Sequence, residues 1–198
     1  NIDYFYRDKY YINNGDFTFT EKILSNSSIY YKYNNITDLN NDNFVDVWYA
    51  DIYGTLTFYL NQKDGTFSTE VITLPEEFNN NTPVYAIEDF NNDNLPDILV
   101  KKNSRALHIF VNQGNNTFDY GKDIIFDFEI YDLYEFADFD NNGVTDIALN
   151  KGGDAYIVLL DKDMNVKSGI ETDYHSYYSR GIKMVDLNGD NIADALHY

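Results

Sequence analysis

Four short stretches of the chain carry the residues best suited to chemistry, and all four space their oxygen-bearing side chains in the same way. They are residues 38–46, 89–97, 138–146 and 186–194, and each begins and ends with aspartate. Every stretch places Asp or Asn at positions 1, 3, 5 and 9. Oxygen ligands at alternate positions of a tight loop can surround a hard cation. The spacing therefore predicts a calcium site in each stretch.

Each predicted site combines three carboxylates, one amide and the backbone carbonyl of position 7. Water would complete the roughly 6–8 ligands that calcium takes. In the third stretch the amide moves from position 3 to position 5. The predicted ligands are Asp38, Asn40, Asp42, Phe44 and Asp46, then Asp89, Asn91, Asp93, Leu95 and Asp97, then Asp138, Asp140, Asn142, Val144 and Asp146, and finally Asp186, Asn188, Asp190, Ile192 and Asp194. One Ca²⁺ per stretch, about four in all, is the predicted cofactor content.

The sixth position of each stretch favours a sharply bent loop. It holds the residue types that adopt a left-handed backbone most readily, namely Asn43, Asn94, Gly143 and Asn191. An EF-hand would need a carboxylate at position 12, and this chain has none there. Magnesium is disfavoured because it demands octahedral geometry, and zinc because the stretches contain no His or Cys. Ordinary Asn/Asp turns are the alternative for any single copy, but four copies in register favour metal loops.

The elements that position these loops repeat with the same period. From one first aspartate to the next the distances are 51, 49 and 48 residues, and a period of about 50 residues is typical of propellers or arrays. β-branched and aromatic residues follow each loop, as in residues 46–49 and 97–100, so each loop is predicted to join two strands. Residues 107–118 predict a hairpin, and residues 156–166 are a weaker copy of it. Each unit should therefore have four strands.

The two ends of the chain are predicted to complete one unit between them. Residues 10–19 match the hairpin segment, and residues 181–198 match the two strands around the fourth loop. The length from Asp186 through the carboxyl terminus and on to Asp38 equals one repeat of about 50 residues. We therefore predict an all-β protein, a single β-propeller domain over residues 1–198 with four four-stranded blades, one of them closed by the terminal strands. The alternative is part of a seven- or eight-bladed propeller, which would favour a homodimer.

The four loops, with the Gly-x-x-Thr-Phe ending of the hairpin at residues 114–118, resemble FG-GAP or VCBS repeats. Such repeats form the blades of integrin α-chain heads and of many exported bacterial proteins. The resemblance covers essentially the whole chain and implies a β-propeller whose aspartate-rich loops hold calcium between the first and second strands of a blade, on the ligands named above. Integrin-type heads have seven blades, and the literal Phe-Gly and Gly-Ala-Pro segments are absent here. The similarity is therefore closer to the bacterial branch.

Composition bounds the class of protein and its partners. The formal net charge of −19 and the lack of any Lys/Arg cluster oppose binding to nucleic acids or anionic membrane surfaces. No apolar run approaches the roughly 20 residues of a membrane helix, so membrane insertion is not expected. The absence of cysteine excludes disulfides and thiolate metal sites. Extracellular calcium-binding modules have Kd values of about 10⁻⁴–10⁻³ M, so their sites fill outside cells and stay empty at cytosolic calcium levels. This predicts a secreted, cell-surface or periplasmic location.

The function that fits these features is an extracellular binding or adhesion module for a protein or glycan, with calcium in a structural role. Tyrosine is favoured at such contacts for its rigid apolar ring and polar tip. The run at residues 174–178 lies between strand patterns and is the predicted exposed ligand-binding segment, through Tyr174, His175, Tyr177 and Tyr178. Most of the 19 tyrosines are instead expected to cover sheet faces.

Two further classes of function stay open at this level. A propeller-based polysaccharide-active enzyme, or its non-catalytic domain, is one alternative. The three histidines, however, lie without a nucleophile elbow or zinc pair beside them, so the pattern leans against an enzyme and predicts no catalytic residue. A protein-inhibitor or assembly subunit is the other alternative, because strong negative charge could meet a basic partner surface.

Overall fold

The computed structural model describes residues 2–6, 9–24, 31–51, 55–74, 78, 84–114, 117–175, 182–185 and 194–197. Its regular elements are all strands. In chain order they are β1 (Ile2–Tyr6), β2 (Lys9–Asn13), β3 (Phe19–Ile23), β4 (Tyr31–Thr37), β5 (Asp46–Asp51), β6 (Thr55–Asn61), β7 (Phe67–Thr73), β8 (Val84–Glu88), β9 (Asp97–Asn103), β10 (Ala106–Asn112), β11 (Phe118–Ile125), β12 (Leu133–Ala137), β13 (Asp146–Lys151), β14 (Asp154–Leu160), β15 (Val166–His175), β16 (Ile182–Val185) and β17 (Asp194–His197). The prediction of an all-β protein is confirmed.

Three complete four-stranded antiparallel sheets correspond to the predicted repeat units. Their strand orders are β4-β5-β6-β7, β8-β9-β10-β11 and β12-β13-β14-β15. In each sheet an aspartate-rich loop joins the first strand to the second, and a hairpin forms the third and fourth strands. The local sequence pattern therefore predicted both the number of strands in a blade and their order.

The hairpin turns confirm that the weaker copy of the hairpin segment, at residues 156–166, has the same structure as the copy at residues 107–118. A backbone N–H to carbonyl bond closes each turn at 2.8–3.0 Å between the first residue and the fifth. The pairs are Asn14 with Thr18, Gln62 with Thr66, Gln113 with Thr117, and Asp161 with Asn165. The amino-terminal hairpin β2–β3 and the hairpin β14–β15 thus belong to the same repeat as the other two.

The sheets are arranged around their first strands, as the blades of a propeller are. β4 lies beside β8, β8 beside β12, and β12 beside β16. One hydrophobic core, which includes Trp48, Leu56 and Ile98, lies between the β4–β7 and β8–β11 sheets. A second core, which includes Leu107 and Ile147, lies between the β8–β11 and β12–β15 sheets. Packing of successive sheets face to face holds the radial array together.

The second strand of each blade is buried on both faces, and its residues alternate between two cores. In β9, Ile98 packs into the first of these cores and Leu99 into the second. In β13, Ile147 packs toward the preceding blade while Ala148 packs on the other face. Because successive side chains of a strand point to opposite faces, the first residue of this strand, the last aspartate of the loop, has a fixed orientation.

The two terminal groups of strands form separate sheets. β16 pairs with β17, while β2 pairs with β1 on one side and with β3 on the other. The edge of β2 that the predicted closure assigns to β17 therefore pairs with β1. Closure of one blade by both ends of the chain stays a prediction. No helix in the described parts of the chain is long and apolar enough to cross a membrane.

Candidate metal centre

Three of the four aspartate-rich loops lie within the described residues, each between the first and second strands of a blade. They are residues 38–46, 89–97 and 138–146, which we call loops 1, 2 and 3. The fourth, which we call loop 4, was predicted to bind through Asp186, Asn188, Asp190, Ile192 and Asp194. Residues 186–193 lie outside the described residues, and Asp194 is described only as the first residue of β17.

The first aspartate of each described loop holds the bend closed by accepting backbone N–H groups. In loop 2, Asp89 accepts the N–H of Asp93 at 3.2 Å on Oδ1 and the N–H of Asn94 at 2.8 Å on Oδ2. The equivalent bonds run to Asp38 from Asp42 and Asn43, and to Asp138 from Asn142 and Gly143. The carboxylate therefore lies at the centre of its loop, where it shapes the loop before any cation binds.

Two residues of each described loop have a left-handed backbone. Position 6 has φ between 67° and 86°, as the sequence predicted for Asn43, Asn94 and Gly143. Position 4 has φ between 54° and 63°, which the sequence analysis did not anticipate, at Asn41, Asn92 and Asn141. The signal was present, because asparagine tolerates this conformation better than other residues with a side chain. The same alternation of backbone conformation therefore recurs in all three described loops.

The last aspartate of loops 1, 2 and 3 is fully buried and has a second role that its sequence position does not reveal. Asp97 accepts the N–H of Phe90 at 3.1 Å on one carboxylate oxygen and the N–H of Asn112 at 2.9 Å on the other. The same pair of bonds, between 2.7 and 2.9 Å, runs to Asp46 from Leu39 and Asn61, and to Asp146 from Phe139 and Leu160. Each such aspartate therefore clamps its loop to the end of the third strand.

The clamp leaves the buried carboxylates able to bind a cation as well. Each carboxylate oxygen has a second lone pair beyond the one that accepts the N–H. Burial raises the pKa of Asp97 to about 7, against the backbone bonds from Asn112 and Phe90, and the charges of Asp93 and Asp89 raise it further. Burial raises the pKa of Asp46 and Asp146 in the same way. A nearby cation would lower these pKa values by stabilising the charged form.

Loop 3 brings three carboxylates within reach of one ion. One ligand atom from each of Asp138, Asp140 and Asp146 lies within 4.8 Å of the others. All three are oxygen donors, the class of ligand that calcium and magnesium prefer, and no His or Cys lies in the loop. The donor set and the loop shape therefore fit a hard divalent cation.

Lysines approach two of the loops from outside. Lys167 Nζ lies 2.5 Å from Asp140 Oδ2 in loop 3, and Lys63 Nζ lies 3.3 Å from Asp42 Oδ2 in loop 1. Each lysine offsets part of the negative charge that three neighbouring carboxylates create. A divalent cation would compete with these ammonium groups for the same oxygens.

The predicted ligand-binding segment falls mostly outside the described structure. Tyr174 and His175 are the last residues of β15, and their side chains are not described. Tyr177 and Tyr178 lie outside the described residues. His108 lies in β10 as its strand pattern predicted and is fully buried, with Nδ1 2.6 Å from Asp123 Oδ1. Its burial suits a structural contact better than contact with an external substrate.

A cleft of about 290 Å³ beside loop 1 is a feature that the sequence analysis missed. It lies between the amino-terminal sheet and the β4–β7 blade and is lined by aromatic side chains of both and by Lys63. Tyr10 joins the two walls, because its ring packs on Phe67 with centroids 5.3 Å apart and its hydroxyl donates to the Gly65 carbonyl at 3.0 Å. Phe44 stays 42% exposed there. The walls come from separate blades, so local sequence does not reveal the cleft.

The described loops lie in a part of the chain that matches a known repeat family. A model of the FG-GAP-like repeat matches residues 38–100 and, in an overlapping second copy, residues 89–149. Together the two matches span more than half of the 198 residues and contain loops 1, 2 and 3. No curated protein matches the chain.

Proposed function

Because the chain belongs to the FG-GAP-like repeat family, we propose that it is a calcium-binding β-propeller that acts as an extracellular binding or adhesion module for a protein or glycan. Calcium is structural in this proposal. The observation that carries it is the grouping of Asp138, Asp140 and Asp146 within 4.8 Å of one another on a prefolded loop. Loops 1 and 2 carry Asp or Asn at the same four positions, with the amide at position 3 and the carboxylate at position 5, and each is assigned one ion.

The choice of calcium follows from the ligands and from the shape of the loop. Five protein oxygens per loop, from three carboxylates, one amide and one carbonyl, leave room for water in a flexible coordination shell, which calcium accepts and magnesium resists. Three carboxylates in each loop and the net charge of −19 also favour a divalent cation over a monovalent one. Sites of this kind fill at the calcium concentrations found outside cells, hence the proposed location.

Calcium would stabilise each blade by reducing the repulsion among the carboxylates of its loop. The ion would neutralise most of the mutual repulsion among the three carboxylates of a loop. Asp97 and its equivalents already tie each loop to the third strand. Neutralising the loop would therefore stiffen the first three strands of a blade together.

Removing one carboxylate from loop 3 tests the ligand assignment. Asp140→Ala is expected to lower the calcium stoichiometry measured by isothermal titration calorimetry by one ion, because the other loops keep their own ligands. Asp163→Ala is the matched control, since it removes an exposed aspartate from the β14–β15 turn, outside every loop, and should leave the stoichiometry unchanged. Equal stoichiometry in both variants, or no calcium binding by the unmodified chain, would contradict the proposal.

The binding role is an analogy with the family, since a fold alone does not establish a function. The cleft beside loop 1 supports it physically, because Phe44 offers a partly exposed aromatic ring there and its backbone carbonyl is a predicted calcium ligand. Ordering of loop 1 by calcium would order one wall of the cleft. We propose the cleft as the ligand contact, with a glycan or a protein side chain as the occupant.

Glycan-array binding with and without calcium tests this role. Phe44→Ala removes the ring while keeping the backbone carbonyl that is the proposed ligand of loop 1, and we expect it to weaken binding of any positive glycan about tenfold. Tyr131→Ala is the control, because Tyr131 is also exposed but lies beyond β11, in another blade. A glycan that binds equally well to both variants, or in chelator, would argue against the cleft.

A further inference from the structure

Loops 2 and 3, which belong to neighbouring blades, touch each other at two points. The backbone N–H of Thr145, at position 8 of loop 3, donates to the carbonyl of Asp89, at position 1 of loop 2, at 3.4 Å. The side chain of Asn92 in loop 2 also lies against Gly143 in loop 3. Both contacts join residues that shape one predicted site to residues that shape the other.

The peptide unit between Val144 and Thr145 belongs to both loops at once. Its carbonyl oxygen is the proposed position-7 ligand of loop 3, and its N–H is the donor to Asp89 in loop 2. A cation that draws electron density from a carbonyl strengthens the N–H of the same peptide as a donor, because bonded amide groups polarise one another. Calcium in loop 3 would therefore tighten the bond to the first aspartate of loop 2.

Gly143 has a spatial role that its conformation alone does not require. Position 6 has a left-handed backbone in all three described loops, yet loops 1 and 2 accommodate asparagine there. A Cβ on Gly143 would lie 2.8 Å from Asn92 Nδ2. The Asn92 N–H in turn bonds the Asp89 carboxylate. Glycine thus lets the two loops meet through Asn92.

We propose that loops 2 and 3 bind calcium as a coupled pair, in which an ion in either loop raises the affinity of the other through the Val144–Thr145 peptide and the contact of Asn92 with Gly143. The inference rests on the proposed calcium function. Thermodynamic linkage makes the coupling reciprocal, so each site gains the same factor.

Loop 2 lacks the residues that would couple it to loop 1 in the same way. Its position 8 is Pro96, which has no N–H to donate to the Asp38 carbonyl. Its position 6 is Asn94 rather than glycine. In the described part of the chain, the backbone bond between two loops is the one from Thr145 to Asp89. Among the three described loops, the coupling is therefore specific to the pair formed by loops 2 and 3.

Two opposing effects determine the sign of the coupling. Each loop with three carboxylates stays negative after it binds one Ca²⁺, and an ion in one loop weakens the negative potential that attracts an ion to the next. Such repulsion between exposed charges is screened over about 8 Å at physiological salt, whereas the shared peptide acts by direct contact. The bond from Thr145 to Asp89 is long at 3.4 Å, and bringing it to the strength of an ordinary hydrogen bond corresponds to a factor of about five. Positive coupling of about fivefold is therefore expected at physiological salt.

Calcium titration of a chain that retains only loops 2 and 3 tests the coupling. Asp42→Ala and Asp190→Ala would disable loops 1 and 4 in this background by removing their position-5 carboxylates. Calorimetry should then give two ions and a Hill coefficient of about 1.4, the value for two equal sites coupled fivefold. Adding Thr145→Pro removes the N–H and should bring the coefficient close to 1.

The substituted residues already occur at the same loop positions elsewhere in the chain, with Pro96 at position 8 of loop 2 and asparagine at position 6 of loops 1 and 2. Matched control variants can therefore test whether the substitutions disturb folding. Val45→Pro makes the same change in the disabled loop 1 and should keep the coefficient of the background. Gly143→Asn leaves the Thr145 N–H in place but displaces Asn92, and it too should lower the coefficient, so the proposal can be tested even if the proline variant does not fold.

The outcomes separate the coupling from the calcium function. Two ions bound with a coefficient of 1 in the background would overturn the coupling and leave the proposed function intact. A coefficient that stays at 1.4 in both Thr145→Pro and Gly143→Asn would also overturn it, since the contacts named here would then not carry it. Absence of any calcium binding by the unmodified chain would overturn both proposals together.

Discussion

Replacing Asp97 by alanine is expected to lower the free energy of unfolding by about 2–5 kcal/mol, even when a chelator keeps calcium away. The side chain is fully buried, and its two oxygens accept the N–H groups of Phe90 and Asn112. Alanine would leave both donors buried without these bonds, and each such donor costs about 1–3 kcal/mol. The loss of stability is therefore expected in the calcium-free protein as well, in addition to any stability lost because calcium no longer binds.

Asp93→Ala is the matched control for this prediction. It removes another carboxylate from the same loop, but Asp93 is exposed and its bond to the Leu95 N–H is local. Urea unfolding in chelator should show a much smaller change than in Asp97→Ala, while both variants should lose calcium binding at loop 2. Equal stabilities of the two variants in chelator would show that Asp97 is only a ligand and not a clamp.

Calcium is expected to raise the midpoint of thermal unfolding by about 5–10 °C for each site that it fills. A ligand at 100 times its Kd contributes about 2.7 kcal/mol to the folded state, a condition that about 10 mM calcium meets for a Kd of 10⁻⁴ M. For chains of roughly 150–250 residues, each kcal/mol shifts the midpoint by about 2–4 °C. With several sites, this is the largest effect that we expect of any solution condition.

Magnesium at the same concentration is the control for this shift. A chain of net charge −19 gains stability from any divalent salt through screening, and magnesium supplies the same charge with a coordination geometry that these loops suit poorly. Differential scanning calorimetry should show a clearly larger rise with calcium than with magnesium. Equal shifts would mean that the loops respond to ionic strength and hold no specific site.

The arrangement of each blade was predictable because its signals are local. A loop of nine residues has to place its ligands at alternate positions, and its bends need Asn or Gly wherever φ is positive. The strand that follows shows its buried faces as a run of apolar residues, as at Ile98 and Leu99. The period of about 50 residues then repeats the unit along the chain. Residues close in sequence thus carried the fold class, the loop positions and the hairpins.

Contacts between distant residues were decided by the tertiary structure alone. The clamp at Asp97 depends on the end of β10 reaching the loop, 15 residues further along the chain. The bond from Thr145 to Asp89 and the cleft beside loop 1, where Tyr10 packs on Phe67, depend on how neighbouring sheets face each other. Residue spacing indicates the conformation of a single strand or loop, whereas these contacts form only when separate sheets pack. For this reason the sequence identified the predicted ligands of each site, but only the folded chain shows which sites touch.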